Sequence, residues 1–470
     1  MILNRRNEEY VLSEGDEKSS PPLGVLYLAS YLRDKGVSVK VTDMSAEGKV
    51  LEDILEMIED ERPKLVGFSA MASSIRSAVK LAHQIREKTS YELTLGVGGA
   101  HVNSDHDFID RYNVFDFAII GEGEKSLFDV YNKIVNGEKF ARKIYGEPVQ
   151  NLDDIPFPAR ELVDPSNYFL HEEHTKGKKP IGSIVGSRGC PFKCSFCSSP
   201  LISRKVRFRS AKNIVDEMEA IYDSCGGHYC FQDDVMTLSK KHTIALCKEI
   251  IARGLKVRWM AMTRATAIKP DMVEWLAKAG CDGIFFGVES GNERIRNEII
   301  KKKVTDQDIK EAVTLCRKHG IHTSLFLMVG FPTETLAEME DTVRIGHKVG
   351  ADLIGIHITI PHAGTEVYNY AVEHGIIEAN IIDKFIRDEL GDPKANLIDV
   401  WPLFVPLGLE LEDLVKVKKR AYRSFYLNPR FVLRRIIYWI RHPSRFKDDL
   451  PLFKIAPYTL LKGRTKGTAS

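Results

Sequence analysis

The segment Gly189-Cys190-Pro191-Phe192-Lys193-Cys194-Ser195-Phe196-Cys197 places three cysteines on one short loop in the spacing C-x3-C-x2-C. Three thiolates this close together are able to bind three irons of a 4Fe–4S cluster and to leave the fourth iron open to another ligand. A structural zinc site would normally need a fourth Cys or His nearby. The spacing therefore predicts that Cys190, Cys194 and Cys197 bind an iron–sulfur cluster.

The other five cysteines, at positions 225, 230, 247, 281 and 316, do not form such a group. Cys225 and Cys230 lack a partner pair at zinc spacing, so we interpret them as small buried residues. Residues 1–189 contain no cysteine and the N-terminus is polar almost at once, which indicates neither a disulfide framework nor a secretory signal. Since no run of about 18 apolar residues occurs either, we expect a cytoplasmic protein without a membrane-spanning helix.

Strand and helix patterns alternate around and after the cysteine loop. The strand candidates are Ile181–Ser187, His228–Asp233, Leu255–Met262, Asp282–Val288, Ile321–Met328 and Leu353–Ile360. Helical patterns separate them, for example at Asn213–Ser224, Lys241–Arg253 and Asp306–His319. Six such units predict a partial (β/α)6 TIM-like barrel over residues 181–376, with its chemistry at the carboxyl ends of the strands.

Residues 22–137 show the same alternation before the loop. The strand candidates are Val37–Val41, Leu65–Phe68, Leu93–Val97 and Phe115–Ile120, and the helix candidates are Leu23–Lys35, Leu51–Glu61, Ile75–Lys88 and Lys125–Val135. The pattern predicts an α/β, flavodoxin- or Rossmann-like doubly wound domain over residues 1–145. Residues 146–180, which contain five prolines, predict a linker on the surface.

Three loops of the N-terminal domain follow strand candidates, where a doubly wound sheet binds its ligands. They are Ser69-Ala70-Met71-Ala72-Ser73, Gly98-Gly99-Ala100-His101 and Gly121-Glu122-Gly123-Glu124. Glycines let a large ligand approach the backbone, and small hydroxyl side chains line a groove. Plain tight turns remain the alternative for each loop taken alone.

Charge is distributed unevenly along the chain. The net charge is +2, yet Val415–Ser470 contains fifteen Lys or Arg residues against two Asp. We expect residues 377–470 to form a C-terminal extension that is irregular at first, then basic and mostly helical. Asn428-Pro429 predicts the start of an amphipathic helix, and His442-Pro443 predicts its end.

Two interpretations of this helix remain open, because it is too short to span a bilayer. In the first, the apolar face of the helix packs on the barrel, and Arg434, Arg435 and Arg441 are solvated. In the second, the helix lies in the interface of an anionic membrane, which makes the protein peripheral on the inner face of that membrane. Nucleic-acid binding is not expected.

The cysteine loop and the strand ends behind it resemble the radical SAM superfamily, whose motif is C-x3-C-x-aromatic-C at the top of the first barrel strand. The resemblance implies that the open iron binds S-adenosylmethionine (SAM) and that electron transfer cleaves SAM to a 5′-deoxyadenosyl radical, which removes hydrogen from an unactivated carbon. An electron donor such as flavodoxin or ferredoxin is implied as well. The residues that match the family's SAM-binding positions are Phe196, Asp233, Arg264, Glu289, Ser290 and Gly330.

Together with the barrel, the N-terminal loops resemble the cobalamin-binding domain of cobalamin-dependent radical SAM enzymes. The resemblance implies cobalamin contacts from Ser69, Ser73, Gly98, Gly99, Gly121 and Glu122. Where the family motif Asp-x-His-x-x-Gly would place a cobalt ligand, Asp43-Met44-Ser45-Ala46-Glu47-Gly48 has no His, and we expect His101 to make a hydrogen bond instead. Only Met1-Ile2-Leu3-Asn4 remains of the first strand, so we expect a truncated chain or a sheet that lacks most of a strand.

The combined resemblance implies methylation of an unactivated carbon in a small-molecule or lipid substrate. Radical cyclisation or rearrangement remains open, because the anaerobic magnesium-porphyrin ester cyclase family has the same domain order. A methylthiotransferase acting on tRNA or protein is not expected, since such enzymes carry a second cluster on N-terminal cysteines. A non-catalytic cobalamin or SAM sensor is not expected either, because a sensor does not need an open iron.

Overall fold

The computed structural model describes residues 2–4, 20–168, 181–389 and 405–441, and these residues form two compact units. The first unit takes its residues from Met1–Tyr168, Ser187–Arg209 and Ile360–Leu403. The second takes them from Phe169–Gly186, Ser210–Thr359 and Phe404–Ser470. The domain bounds expected from the sequence, at 145, 180 and 376, remain predictions.

The part of the chain up to residue 168 alternates strands and helices. The strands are β1 (Ile2–Asn4), β2 (Val41–Asp43), β3 (Leu65–Ser69), β4 (Thr94–Gly98), β5 (Phe117–Gly121) and β6 (Lys143–Gly146). The helices are α1 (Leu23–Asp34), α2 (Met44–Glu47), α3 (Leu51–Glu61), α4 (Ile75–Lys88), α5 (Ala100–Ser104), α6 (Phe108–Arg111) and α7 (Glu124–Asn136). Short 3-10 turns follow within the expected linker, at Leu152–Asp154, Arg160–Leu162 and Pro165–Asn167.

The six strands of this region form one parallel sheet in the order β2-β1-β3-β4-β5-β6. The short strand β1 lies inside the sheet, where Ile2 pairs with Val41 on one side and Gly67 on the other. The expectation that the sheet lacks most of this strand is therefore wrong, because three residues suffice to pair with both neighbours along the full length of β2.

Helices cover both faces of this sheet, as the alternation of strands and helices predicts. One face packs against α1 and α7 through a core that includes Leu26 and Leu127. The other face packs against α3 and α4 through a core that includes Ile54 and Ile85. The loops that the sequence singles out lie at the carboxyl ends of these strands.

The part from residue 181 onward repeats the alternation. The strands are β7 (Gly182–Ile184), β8 (Ser187–Arg188), β9 (Arg207–Phe208), β10 (His228–Phe231), β11 (Arg258–Thr263), β12 (Cys281–Glu289), β13 (His322–Val329) and β14 (Leu353–Ile358). The helices are α8 (Ser199–Ile202), α9 (Ala211–Ala220), α10 (Tyr222–Cys225), α11 (Lys240–Ala252), α12 (Pro270–Lys278), α13 (Asp306–Lys318), α14 (Leu336–Val349), α15 (Glu366–Glu373), α16 (Ile381–Ile386), α17 (Leu411–Tyr426) and α18 (Pro429–Arg441). A π-helix spans Ile295–Ile299 and a 3-10 turn spans Ala265–Ala267.

Six of these strands form a second parallel sheet in the order β14-β13-β12-β11-β10-β7, which confirms the α/β fold class. The expected first strand Ile181–Ser187 is divided. Its first part is β7, whereas Ser187 belongs to β8, which pairs antiparallel with β9 in a separate ribbon. Gly186 lies between the two, and the cysteine loop follows from the ribbon.

The C-terminal residues are more regular than expected. The chain is already helical at α16, where the sequence predicts an irregular stretch, and α17 lies in the extension that is predicted to become basic and mostly helical. The ring of Phe425 on α17 lies against Gly346 on α14, where even a Cβ would be 2.8 Å from it. Helix α18 has nearly the expected bounds, and its expected end signal His442-Pro443 lies outside the described residues. No helix of the described ranges is long and apolar enough to cross a bilayer.

Candidate functional site

The ribbon of β8 and β9 closes the base of the cysteine loop in the first unit. Ser187 pairs with Phe208 and Arg188 pairs with Arg207. Gly189 follows with φ +95°, and a Cβ there would lie 2.5 Å from the carbonyl oxygen of Lys205. Only glycine combines this backbone conformation with such a close approach, so Gly189 fixes the path of the chain into Cys190.

Backbone hydrogen bonds hold the three cysteines in a compact loop. The N–H of Cys190 donates to the carbonyl of Ser203 at 3.0 Å, and that of Cys197 donates to the carbonyl of Cys194 at 3.1 Å. Cys190 is buried, and the other two are half-buried. In the described ranges no three Cys, His, Asp or Glu side chains converge on one metal ion. A 4Fe–4S cluster offers each thiolate a separate iron, so this donor set fits a cluster.

An arginine clamp, formed by Arg188, Arg207 and Glu122, joins the loop to the first sheet. The N–H groups of Arg207 donate to both carboxylate oxygens of Glu122, and the N–H of Val149 donates to Oε2 of the same carboxylate at 2.9 Å. Arg188 lies 3.5 Å from Glu122 Oε2 and donates to Glu124 Oε1 at 2.6 Å. The two ends of the cysteine loop are thus fixed to the loop after β5.

The electrostatics of the clamp favour the ionised carboxylate. Burial raises the pKa of Glu122, but the hydrogen bond from Arg207 and the charge of Arg188 outweigh burial and bring that pKa below its ordinary value. Glu122 is expected to contact cobalamin; within the first unit, its partners are two arginines and a backbone N–H. These arginines were not predicted from the sequence, where Arg188 comes two residues before Cys190 and Arg207 ten residues after Cys197.

The loop after β4 is packed closely against the loop after β3. Gly99 has φ +102°, and a Cβ there would lie 2.6 Å from the carbonyl oxygen of Ala70. The neighbouring Gly98 has room, since its nearest atom would be Ile119 O at an ordinary 3.6 Å. Local packing therefore accounts for Gly99, whereas Gly98 leaves space at the carboxyl end of β4.

The remaining residues expected at cobalamin differ in their surroundings. Gly121 has φ +100°, and a Cβ there would lie 2.9 Å from Gly146 O on the adjacent strand β6. Ser69 ends β3 half-buried, and its hydroxyl has no hydrogen-bond partner in the described part of the chain. Ser73 is exposed. A half-buried hydroxyl next to the space at Gly98 suits a large polar ligand, so these residues fit cobalamin at the carboxyl ends of β3 and β4.

His101 lies in the core rather than at a surface loop. Its ring meets Phe108 edge-on with centroids 5.3 Å apart, and burial lowers its pKa to about 4. The imidazole is consequently neutral at physiological pH. The contact between His101 on α5 and Phe108 on α6 accounts for the position of this ring.

In the second unit, Asp233 and Arg264 follow the ends of β10 and β11. Asp233 is buried, and its Oδ2 accepts the N–H of Gly186 at 2.9 Å, which fixes the backbone where β7 ends. Arg264 is buried as well and donates to the carbonyl of Lys302. Both residues lie where sequence analysis expects them, at carboxyl ends of barrel strands.

A buried ion pair lies at the end of β12. Nζ of Lys302 is 2.7 Å from Oε1 of Glu289, and both side chains are at most 10 % exposed. Gly287 makes room for this pair, because a Cβ there would be 2.6 Å from Glu289 Oε1. The sequence analysis missed Lys302, since the run Lys301-Lys302-Lys303 has the composition of a solvated surface segment. The structure brings Arg264, Glu289 and Lys302 together.

Ser290 stabilises the turn after β12. Its hydroxyl accepts the N–H of Asn292 at 3.1 Å and lies 3.3 Å from the hydroxyl of Thr342. The fully buried Arg296 donates to the carbonyls of Ser290 and Val304, both at 2.7 Å. These contacts fix the turn that carries Glu289 and the loop that carries Lys302.

The segment after β13 turns around a buried carboxyl group. Oε2 of Glu334 accepts the N–H groups of Gly330 at 2.7 Å and Phe331 at 3.0 Å. Burial raises the pKa of Glu334 to about 7, although these two hydrogen bonds oppose the shift. Glu334 is a residue that the sequence analysis did not single out, and a Glu four residues after Gly330 was the available signal.

One face of the second sheet is only half-covered and is largely apolar. Strands β11 to β14 alternate buried residues with more exposed ones, and the exposed set includes Met262, Phe285, Phe326 and His357. The rings of Phe285 and Phe326 stack with centroids 5.4 Å apart. This face offers an apolar surface to a ligand.

The thiols outside the loop are structural. Burial raises the pKa of Cys230, Cys247 and Cys316 to about 12 and that of Cys281 well above its ordinary value. Cys225 is buried. A raised pKa disfavours the thiolate form that binds iron, so packing accounts for these cysteines.

Two protein-family models match separate stretches of the chain. The radical SAM superfamily matches residues 184–345, and the B12 binding domain matches residues 17–130. Both spans contain the loops described above. The radical SAM domain implies a 4Fe–4S cluster and SAM, and the B12 binding domain implies cobalamin.

Individual proteins resemble this chain over most of its length. An uncharacterized methyltransferase of Pyrococcus horikoshii is 29 % identical over 435 residues, which cover 89 % of this chain and 90 % of the relative. The anaerobic magnesium-protoporphyrin IX monomethyl ester cyclase of Cereibacter sphaeroides is 27 % identical, with 87 % and 67 % covered. The hopanoid C-3 methylase of Methylococcus capsulatus is 25 % identical, with 74 % and 68 % covered.

Among solved structures, the fold is similar to that of the radical S-adenosylmethionine methyltransferase TsrM from Kitasatospora setae with cobalamin and a 4Fe–4S cluster bound. The TM-score is 0.64 at 20 % identity, and the match covers 79 % of this chain and 74 % of that one.

Proposed function

We propose that this chain, a radical SAM enzyme with a B12-binding domain, transfers a methyl group to an unactivated carbon of a hydrophobic substrate. The observation that carries the proposal is the position of the cysteine loop. Through Arg188 and Arg207 this loop is joined, within one compact unit, to the sheet whose loops fit cobalamin. The relative in Pyrococcus horikoshii is named a methyltransferase, which supports the same reaction.

Cys190, Cys194 and Cys197 would hold the cluster, and the loops at Ser69 and Gly98 would hold cobalamin. When bound, the cluster with SAM supplies a radical that removes hydrogen from carbon, and cobalamin supplies the methyl group. The protein provides orientation and keeps water out.

Each polar residue at the barrel strand ends has a defined part in this scheme. Lys302 fixes the carboxylate of Glu289, which would bind the amino or ribose groups of SAM. Arg264 provides a guanidinium for the SAM carboxylate, since such planar donors suit carboxylates. Asp233 positions the backbone before the cysteine loop through Gly186.

The apolar face of the second sheet supports a hydrophobic substrate. Met262, Phe285 and Phe326 are available on that face, and a polar substrate would gain few hydrogen bonds from them. The similarity to a hopanoid C-3 methylase supports a lipid substrate. Oxidative cyclisation is the second candidate, favoured by the similarity to the magnesium-protoporphyrin ester cyclase over 87 % of this chain.

We also infer that α18 binds an anionic membrane surface. An apolar stripe, formed by Val432, Leu433, Ile436, Ile437 and Ile440, covers an arc of about 140° on this helix. All five residues are exposed, Ile440 by 73 %. The opposite side is fixed to the second unit, where Phe431 packs on Phe425 and Tyr438 bonds His322 at 2.6 Å. An exposed apolar stripe on a basic helix suits a bilayer interface, which would also supply a lipid substrate.

Product analysis distinguishes the two reactions. Anaerobically reconstituted protein with reductant, SAM and a lipid extract is expected to form 5′-deoxyadenosine and S-adenosylhomocysteine in equal amounts, with one methyl group added to a lipid. Formation of 5′-deoxyadenosine without S-adenosylhomocysteine would favour the cyclase. A variant with Cys190, Cys194 and Cys197 changed to Ala is expected to form neither product, and SAM cleavage by that variant would refute the assignment of the cluster ligands.

A further inference from the structure

A cavity of about 350 Å³ lies between α18 and the amino-terminal ends of β13 and β14, remote in sequence from the cysteine loop. Apolar and basic side chains line it together. The lining includes Arg317, Arg434, Arg435, Ile321, Ile437 and Tyr438. None of these residues belongs to the SAM or cobalamin machinery described above.

Positive charge accumulates in this cavity. Arg317 and Arg434 both donate to the carbonyl of Gly350, and Arg434 also donates to that of Ala351 at 3.4 Å. Burial lowers the pKa of Arg434, and the charge of Arg317 lowers it further. Two guanidinium groups are thus held side by side on the same carbonyl oxygen.

Acidic residues compensate little of the positive charge in this cavity. Asp352 is the acidic residue among those that line the cavity, and its Oδ2 already accepts the N–H of Thr323 at 2.9 Å and its hydroxyl at 3.0 Å. Three arginines therefore face one carboxylate. Guanidinium groups with donors in a planar fork bind phosphate with two bonds at a time.

The cavity is continuous with the membrane-binding helix. Ile437 belongs to the apolar stripe and also lines the cavity, and Arg434 and Arg435 lie on the same helix. A lipid whose acyl chains contact the stripe would consequently have its headgroup beside the arginines. A free phosphate would gain nothing from the stripe.

We propose that this cavity binds the phosphate group of one anionic phospholipid. The proposal rests on the membrane association of α18 inferred above and gives that association a specific headgroup site. Arg317 and Arg434 contact the phosphate, and the apolar stripe contacts the chains.

Calorimetric titration of the full chain with a short-chain phosphatidylglycerol, below its micelle concentration, tests the site. We expect one saturable site per chain, weakened about tenfold or more in Arg317→Gln/Arg434→Gln, since two charge-assisted interactions are lost. The matched control Arg423→Gln/Arg430→Gln removes two exposed charges outside the cavity and is expected to bind almost as the wild type does. Glycerol 3-phosphate is expected to bind at least about tenfold more weakly than the lipid, because it lacks the chains.

Equal weakening in both double variants, or equal affinity for glycerol 3-phosphate and lipid, would overturn the site. Arg434→Lys, which keeps the charge but not the fork of donors, is expected to be intermediate, and a thermal unfolding curve checks that each variant is folded. SAM cleavage to 5′-deoxyadenosine should be unchanged in all of them. If the wild type cleaved SAM but bound no phosphatidylglycerol, this proposal would fail while the proposed reaction stood.

Discussion

Three non-glycine residues with a positive φ lie at the end of β12 and in the loop that carries Lys302. Glu289 has φ +67°, and Lys301 and Lys303, on either side of Lys302, have φ +61° and +55°. Such conformations cost non-glycine residues roughly 1–2 kcal/mol each. The ion pair between Glu289 and Lys302 holds this arrangement together, so strain and the candidate SAM site coincide, as is common at functional sites.

Thr333 is strained without an evident role at the site. It has φ +65°, and a β-branched side chain is poorly accommodated there. Its hydroxyl makes only a long contact of 3.4 Å with Arg294. We expect Thr333→Gly to stabilise the protein by about 1 kcal/mol, measured by thermal unfolding. Thr335, two residues further on, caps α14, and Thr335→Ala is the control that should destabilise the protein by about 1 kcal/mol. A loss of stability in Thr333→Gly would contradict the assignment of strain to Thr333.

Glu334 makes stability depend on pH in the opposite sense to most carboxylates. Its folded pKa of about 7 lies above its ordinary value of 4.5, so the folded protein holds a proton that the unfolded chain releases. Stability is consequently full below about pH 4.5 and falls as pH rises through about 7, by up to about 3 kcal/mol. We expect Glu334→Gln to lose this dependence in unfolding curves between about pH 5 and pH 8.

The matched control for Glu334 is Glu338. The hydrogen bond from Arg294 lowers the pKa of Glu338 to about 2, so this group stays ionised over the tested range. Because the charge of Glu338 contributes to the raised pKa of Glu334, Glu338→Gln is expected to move the pH dependence to lower pH but to keep it, whereas Glu334→Gln removes it. An unchanged pH dependence in Glu334→Gln would show that Glu334 is ionised in the folded protein.

Residue identity and spacing alone predict part of the site. The C-x3-C-x2-C motif predicts the three cysteines, and the ends of the strand candidates predict Arg264 and Glu289. The structure brings Arg264 and Glu289 close to each other. Lys302 is not predictable in this way, because its burial depends on the positive φ values of its neighbours and on the missing side chain of Gly287. A sequence pattern shows three lysines but not which of them points inward.

At the scale of elements, amphipathic helices are predicted best. The expected bounds of α3 and α4 agree with the structure to the residue, because each has a continuous apolar stripe between polar breaks. Strand β6 was missed, since its pairing with β5 is set by tertiary contact rather than by the four residues Lys143–Gly146. Helix α17 was expected only as part of a mostly helical extension and without bounds, because its many basic residues hide the apolar positions that pack on α14.

The arginine clamp leads to a prediction at the scale of the cysteine loop. Glu122→Gln leaves Arg207 buried without its charged partner, and removal of one member of a buried pair typically costs about 3–5 kcal/mol. We expect a lower unfolding temperature and faster loss of iron from the reconstituted protein during exposure to a chelator. Glu147, which is 81 % exposed and pairs with Lys125, provides the control. If Glu147→Gln lost iron as fast as Glu122→Gln, the clamp would have no specific role.

At the scale of the whole molecule, the charge of the chain is divided between two regions. Val415–Ser470 carries fifteen basic and two acidic residues, whereas the rest of the chain has more acidic than basic residues. The total of +2 hides this division. An anionic surface attracts the C-terminal region and repels the remainder, so charge as well as the apolar stripe favours one mode of binding.

This division predicts how salt affects binding to vesicles. The full chain should co-sediment more strongly with mixed phosphatidylcholine and phosphatidylglycerol vesicles than with vesicles of phosphatidylcholine alone. High salt should remove most of this difference, because the electrostatic screening length falls from about 10 Å at 0.1 M salt to about 3 Å at 1 M. Ile436→Asn/Ile440→Asn is expected to bind at least about tenfold more weakly at both salt concentrations, since apolar contacts are not screened. Leu407→Asn, at a residue that is 72 % exposed outside α18, should bind as the wild type does. If the stripe variant and the wild type bound equally at both concentrations, the stripe would have to be covered by protein, and the membrane would not be its partner.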